Sequence, residues 1–279
     1  VTLNCAQCFK MDDELGSVTP GKCADLVLID NETDINVTRV LIDGETVAID
    51  GKMTRELAPY TYPDWARESV HLKDAVTADT FKIAAPENRN RVTIRAIEVI
   101  PARVGDIERF VELAVAGGYL ESDTQQDVLK TVVLERHHAT GTKGVGFVKG
   151  FGIKRGAMAS TVAHDAHNLL VVGTNDDDMA LAANTLINCG GGMVAVADGK
   201  VLGLAKLPIA GLMNDESAEE MAADVATLEE AWKTIGCSMP SPFMTMALIP
   251  LACLPDLRLT NRGLVDCRTF QFVPLVVEE

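Results

Sequence analysis

Cationic charge is scarce in this chain and is nowhere concentrated. Its 25 Lys and Arg stand against 40 Asp and Glu, a net charge of −15. No basic stripe with interleaved aromatics occurs, which excludes nucleic acid, since phosphate contacts need clustered cations. Apolar runs long enough to span a bilayer are missing, so no membrane partner is expected, and the first residues do not read as a signal peptide. The seven cysteines are odd in number and lack framework spacing, which points to reduced thiols in a cytoplasmic protein. Cys5-x-x-Cys8 has no second pair to complete a zinc site, and its helical spacing fits a packed face instead.

Several signatures of nucleotide and nucleophile chemistry are also absent. Gly144, Gly146, Gly150, Gly152 and Gly156 crowd around Lys143, Lys149, Lys154 and Arg155. They do not spell the phosphate-cradling loop, and Arg155 stands where the third glycine of the dinucleotide fingerprint belongs. Tight turns and close strand contacts are the expected use of these glycines. Ser160, His164 and Asp165 lack a nucleophile elbow around the serine. The His-x-Glu and Pro-Cys-x-x-Cys pair of the zinc nucleobase deaminases is missing as well.

What the chain does contain is a polar run between two apolar ones. Ala163-His164-Asp165-Ala166-His167-Asn168 separates residues 158–162 from 169–172, both of which read as buried strands. Polar groups at such a point must be hydrogen-bonded, charged or metal-bound. Glu135-Arg136-His137-His138 follows another apolar strand, so both clusters are expected at one end of a sheet. His164 and His167 would face opposite ways on an extended strand, and only a turn lets them converge. Asp165 could then fix an imidazole tautomer. The alternative is a satisfied polar network in which Glu135 and Arg136 form an ion pair.

The 279 residues suffice for two domains. Residues 1–56 read as the last turns of a helix, a doubly buried strand at 24–29, and a Val37–Ile42/Glu45–Ile49 hairpin turned by Asp43-Gly44. Asp50-Gly51 repeats the turn. Three such strands are too few to stand alone, so residues 24–49 are expected to expose strand edges and an apolar face. Residues 57–79 read as a linker. Residues 80–279 alternate strands with helices, giving an α+β domain with a mixed sheet. Its strands are expected at 81–84, 91–100, 131–135, 193–197, 200–204 and 260–277. One helix is predicted from an Asp106 cap, with Ile107, Phe110, Val111 and Ala114 on one face and Gly117-Gly118 at its end. A second starts at the Asn175 cap and stops at Gly190-Gly191-Gly192. A Ser217–Glu220 capping box opens the longest, with Met221, Val225, Leu228, Trp232 and Ile235 inward.

Three groups of residues carry a resemblance. They are Glu135-Arg136-His137, the glycine-rich run 144–156, and residues 163–168 followed by Val171-Val172-Gly173. Together with Gly190-Gly191-Gly192, Leu207-Pro208-Ile209-Ala210-Gly211-Leu212-Met213 and Thr260-Asn261-Arg262-Gly263-Leu264-Val265-Asp266, they resemble the C-terminal domain of the bacterial adenine deaminases over nearly all of residues 80–275. Residues 1–56 are similar to the ending of amidohydrolases, where the barrel's last helix leads into a small β-sandwich. The expected fold is therefore an α/β sandwich-type domain behind part of that β-sandwich.

The resemblance implies a cytoplasmic purine-salvage hydrolase converting adenine and water to hypoxanthine and ammonia. A hydroxide on a divalent metal, manganese or iron, attacks the ring carbon bearing the amino group. The metal ligands of that family lie on a (β/α)8 barrel. No His-x-His motif is present here and Val1 is not a start methionine, so the chain is expected to be a barrel-less part, inactive alone, whose partners are its own N-terminal barrel and a small purine. A homo-oligomer is plausible within the family. Glu135, His137, His164, Asp165, His167 and Asn168 are the catalytic candidates, and His164, Asp165 and His167 the candidates for an accessory metal. A cyclic amidase or deacetylase fragment, or a non-catalytic purine-binding module, are the alternatives.

Overall fold

The computed structural model describes residues 2–277. The chain folds as two units, residues 1–61 and 62–279.

The first unit holds a short helix α1 (Leu3–Cys8) and four antiparallel strands in sequential order, β1 (Leu26–Ile29), β2 (Val37–Ile42), β3 (Glu45–Ile49) and β4 (Lys52–Met53). Ile42 pairs with Glu45 and Ile49 with Lys52, so Asp43-Gly44 and Asp50-Gly51 each close a two-residue hairpin. The double burial expected of β1 is not found. Val27 is 61 % exposed, and Leu28 and Ile29 are exposed too, because a four-stranded sheet with one six-residue helix has no layers to cover both faces. Cys5 and Cys8 are likewise exposed, and only Ala6 of α1 is buried.

The second unit begins with a helical turn, α2 (Asp64–Arg67), and a 3-10 turn at Ala78–Phe81. It continues through β5 (Ile83–Ala84), β6 (Arg91–Val99), β7 (Asp106–Ala116), β8 (Tyr119–Leu120), β9 (Val128–Leu134), β10 (Lys143–Lys149), β11 (Ala157–Ser160) and β12 (Leu169–Gly173). After α3 (Asp176–Cys189) come β13 (Gly192–Ala197), β14 (Lys200–Lys206), α4 (Ala218–Thr234) and α5 (Pro242–Leu248). A small sheet of β15 (Leu257–Thr260), β16 (Gly263–Asp266) and β17 (Gln271–Val273) ends the fold. The main sheet has ten strands in the order β14-β13-β11-β12-β9-β10-β6-β7-β8-β5. It is mixed, because β6 and β10 run parallel while their neighbours pair antiparallel.

The central strands β9, β11, β12 and β13 are buried on both faces, which explains their nearly unbroken apolar sequences. Along β12, Leu169 and Val171 pack with α3 residues such as Met179 and Leu186, while Leu170 and Val172 join Leu228 of α4 and Phe243 and Met246 of α5. The α+β class and the sandwich architecture are as expected. Asn175 caps α3 by accepting from the Asp178 amide, and Gly190 ends it with φ 80°. Ser217 and Glu220 form the capping box of α4. Val225, expected inward, is exposed, because the buried side chains of α4 are Leu228 and Ala231 in its second half.

The helix expected from Asp106 is instead the eleven-residue strand β7. Ile107, Phe110, Val111 and Ala114 fit a helical face, but β-branched and aromatic residues suit a pleated surface equally well. Long-range pairing decides between them: β7 lies along β6 from Arg91↔Ala114 to Val99↔Asp106, with cross-strand ion pairs Arg91–Glu112, Arg95–Glu108 and Glu98–Arg109. Asp106 is no cap. Its Oδ1 accepts from the Asp256 and Leu257 amides, and its Oδ2 lies 3.0 Å from the buried Arg258 guanidinium.

Candidate functional site: a histidine cluster at one sheet end

Strand register brings the polar segments together. Leu134 at the end of β9 lies opposite Lys143 at the start of β10 and Leu169 at the start of β12. Ser160 at the end of β11 faces Leu170 and Met193, and Gly192 faces Lys206. Loops 135–142 and 161–168, the turn at 190–191 and the segment after Lys206 therefore leave the sheet at one end, as expected from the sequence for the two clusters.

Each loop is tied down by its own polar residues. The Glu135 carboxylate accepts from the backbone amides of His137 (2.5 Å), His138 (2.9 Å) and Thr140 (3.0 Å), and from the Thr140 hydroxyl. Burial pushes this carboxyl up, but the Thr140, His137 and His138 amides outweigh it and hold the pKa down at about 2. A carboxylate so satisfied shapes the loop and has little capacity left for proton transfer. It forms no ion pair with Arg136 among the described residues, contrary to that alternative, because the guanidinium is spent on carbonyl oxygens instead.

His164 and His167 do converge. A turn with His167 at φ 51° brings their rings edge to face, with centroids 5.2 Å apart. The Ala163 amide donates to His167 Nδ1 at 3.3 Å, so that nitrogen carries the lone pair and the neutral ring has its proton on Nε2. Burial, then the neighbouring His164 and Arg136 charges, lower the His167 pKa, favouring the neutral ring. The Asp165 charge acts the other way. The partner of His167 Nδ1 is the Ala163 amide and not the Asp165 carboxylate. His137 Nε2 lies 2.6 Å from the Ala166 carbonyl and must be protonated there, since a carbonyl only accepts. Asn168 is buried, its Oδ1 accepting from the Arg136 amide. The His71 amide donates to the Arg136 carbonyl, so all five histidines of the chain lie on or beside these loops.

Three roles were not visible in the sequence. Arg136, 1 % exposed, ties several segments together. Thr161 joins Gly192 to Gly211. In the glycine-rich run the amides of Gly150 and Gly152 donate to the Asp127 carboxylate, so the anion held there belongs to the chain itself. Gly144 permits close approach, since a Cβ there would meet the Thr260 carbonyl oxygen at 1.8 Å.

Among the described residues, no group of three or more His, Cys, Asp or Glu stands close enough to hold a metal ion. The donors of this cluster thus do not fit a catalytic metal centre. Among the described residues, no helix is long and apolar enough to cross a membrane.

The comparisons with known proteins are specific. Residues 106–271 match the adenine deaminase C-terminal domain, and residues 1–47 match the amidohydrolase family. Adenine deaminase from Clostridium botulinum (strain ATCC 19397 / Type A) is 66 % identical over all of this chain, which covers 46 % of that relative. The adenine deaminases of Moorella thermoacetica and Ruegeria pomeroyi are 50 % and 42 % identical over 99 % of the chain, again covering 46 % of each. The chain belongs to the adenine deaminase C-terminal domain family, and spans about half the length of the curated relatives it matches.

Proposed function

We propose that the chain works as part of an adenine aminohydrolase, in which water replaces the exocyclic amino group of adenine to give hypoxanthine and ammonia. The observation that carries the reading is the gathering of His137, His164 and His167 on loops at one sheet end, in a chain resembling adenine deaminases from end to end. The cluster faces the reaction centre of the full-length protein. The cluster's own donors do not fit the divalent metal, manganese or iron, that the family resemblance implies; an N-terminal barrel would hold it.

The residues of the cluster can bind and orient. Neutral His167 offers a donor at Nε2, and His164 is partly exposed beside it. Imidazoles so placed can hydrogen-bond purine ring nitrogens or carry a proton towards departing ammonia. Asp165 is exposed, while Glu135 and Asn168 hold the loops in shape. The setting is cytoplasmic purine salvage.

The test uses the full-length protein. Ammonia should be released from adenine but not from hydantoins or N-acetyl sugars. His164→Ala should lower kcat by roughly a hundredfold or more while metal content stays unchanged. Unaltered kinetics in that variant would remove the cluster from the site.

A further inference from the structure

Arg136 is a guanidinium withdrawn from water with no ion pair to a carboxylate among the described residues, an arrangement that is costly unless its donors are engaged. Its Nε donates to the His167 carbonyl (2.5 Å), Nη1 to the Ser69 carbonyl (2.7 Å) and hydroxyl (3.3 Å), and Nη2 to the Ala210 carbonyl (2.9 Å). Three segments that share no strand ladder therefore meet on one side chain. The fit is close: a Cβ on Gly211 would lie 2.8 Å from Nη2. Thr161 pins the histidine loop at its other end, donating to the Gly211 carbonyl and accepting from the Gly192 amide. A lysine would keep the charge but could not fork towards three carbonyls in different directions.

We propose that Arg136 is the positioning residue of the histidine loop, holding the His167 carbonyl against the Ser69 and Ala210 segments so that the His164 and His167 rings keep one orientation. Its bonds go to loops and not to the sheet, whose ladder between β9 and β12 ends at Leu134–Leu169. Losing Arg136 should thus free the loop before it melts the sheet. The catalytic consequence rests on the reading that this cluster faces the reaction centre; the positioning itself does not.

The experiment compares Arg136→Lys with the parent full-length protein by imidazole NMR titration, thermal melting and steady-state kinetics with adenine. The charged or titratable groups acting on His167 are His164, Arg136, Asp165 and His137, and α5 contributes only the Ala247 carbonyl, to the His164 amide. The expected result is displaced His164 and His167 ring resonances, a small change in melting, and kcat lowered roughly tenfold to a hundredfold. Adding free guanidinium to Arg136→Ala should partly restore kcat. If Arg136→Lys does not fold, Gly211→Ala, which crowds the guanidinium without removing it, should displace the same resonances. Unmoved ring resonances in a folded variant would overturn the proposal, as would a collapse of melting with no separate effect on the rings. Displaced resonances with unchanged kcat would uphold the positioning and overturn the catalytic reading of the cluster.

Discussion

The sheet of residues 1–61 and the ten-stranded sheet of residues 62–279 use strands of similar apolar character, yet they bury them very differently. Leu26–Ile29, all aliphatic, has one partly covered residue followed by three exposed ones, whereas Leu169–Gly173 is buried at every position. Hydrophobicity therefore does not decide burial here. What decides it is the number of covering layers, since β12 has helices on both faces and a four-stranded sheet cannot supply them. The first unit is left with Val27, Leu28, Val37, Ile42 and Met53 exposed, an apolar surface of the kind that promotes association.

The sharpest way to break this contrast is to truncate a residue in each sheet. Leu170→Ala should cost about 2–5 kcal/mol, read by chemical denaturation, because it opens a cavity among fully buried neighbours. Val27→Ala should stay within about 0.5 kcal/mol, being largely solvated already. Equal losses would mean that the first sheet is covered in solution. A smaller difference is expected between glycines. Gly144→Ala should cost roughly 1–3 kcal/mol, since its Cβ would run into the Thr260 carbonyl. Gly51→Ala, at φ 75° with nothing within 4 Å, should cost roughly 1–2 kcal/mol from backbone strain alone.

Smaller still is a helix-end effect. Ser217→Ala removes the α4 cap and should cost about 1 kcal/mol. The last prediction concerns pH and the loop end of the large sheet. The Glu135 pKa is held down at about 2 from 4.5, so its stabilisation is present in full above 4.5 and is lost as pH falls through about 2. Melting of Glu135→Gln should therefore fall furthest below the parent near neutrality, and the gap should close on acidification across that window. A gap independent of pH would show that the amide bonds do not depend on the carboxylate charge.

Much of the fold was legible wherever one short stretch held the whole signal. The caps Asn175 and Ser217, the Gly190 stop and the hairpin at Asp43-Gly44 are settled by residues within a few positions of one another. The strand β7 was not legible, because its residues satisfy two periods and only pairing with β6 chooses between them. Gathering Glu135-Arg136-His137-His138 with residues 163–168 was foreseeable from two strands ending in polar runs. The part played by Arg136 was not, since its partners His167, Ser69 and Ala210 lie 31, 67 and 74 residues away.

By itself the sequence determined the α+β class, the family, and which loops carry the histidines. These follow from composition, local capping chemistry and contiguous motifs, all of which act over a few residues. Tertiary structure alone decided that Asp106 belongs to a strand end and not to a cap, and that Glu135 binds amides instead of Arg136. It also decided that a buried guanidinium, rather than a carboxylate, holds the histidine loop. The physical reason is the same in each case. A buried polar group must find partners wherever the fold places them, and those partners are chosen by packing across the chain, not by neighbours along it.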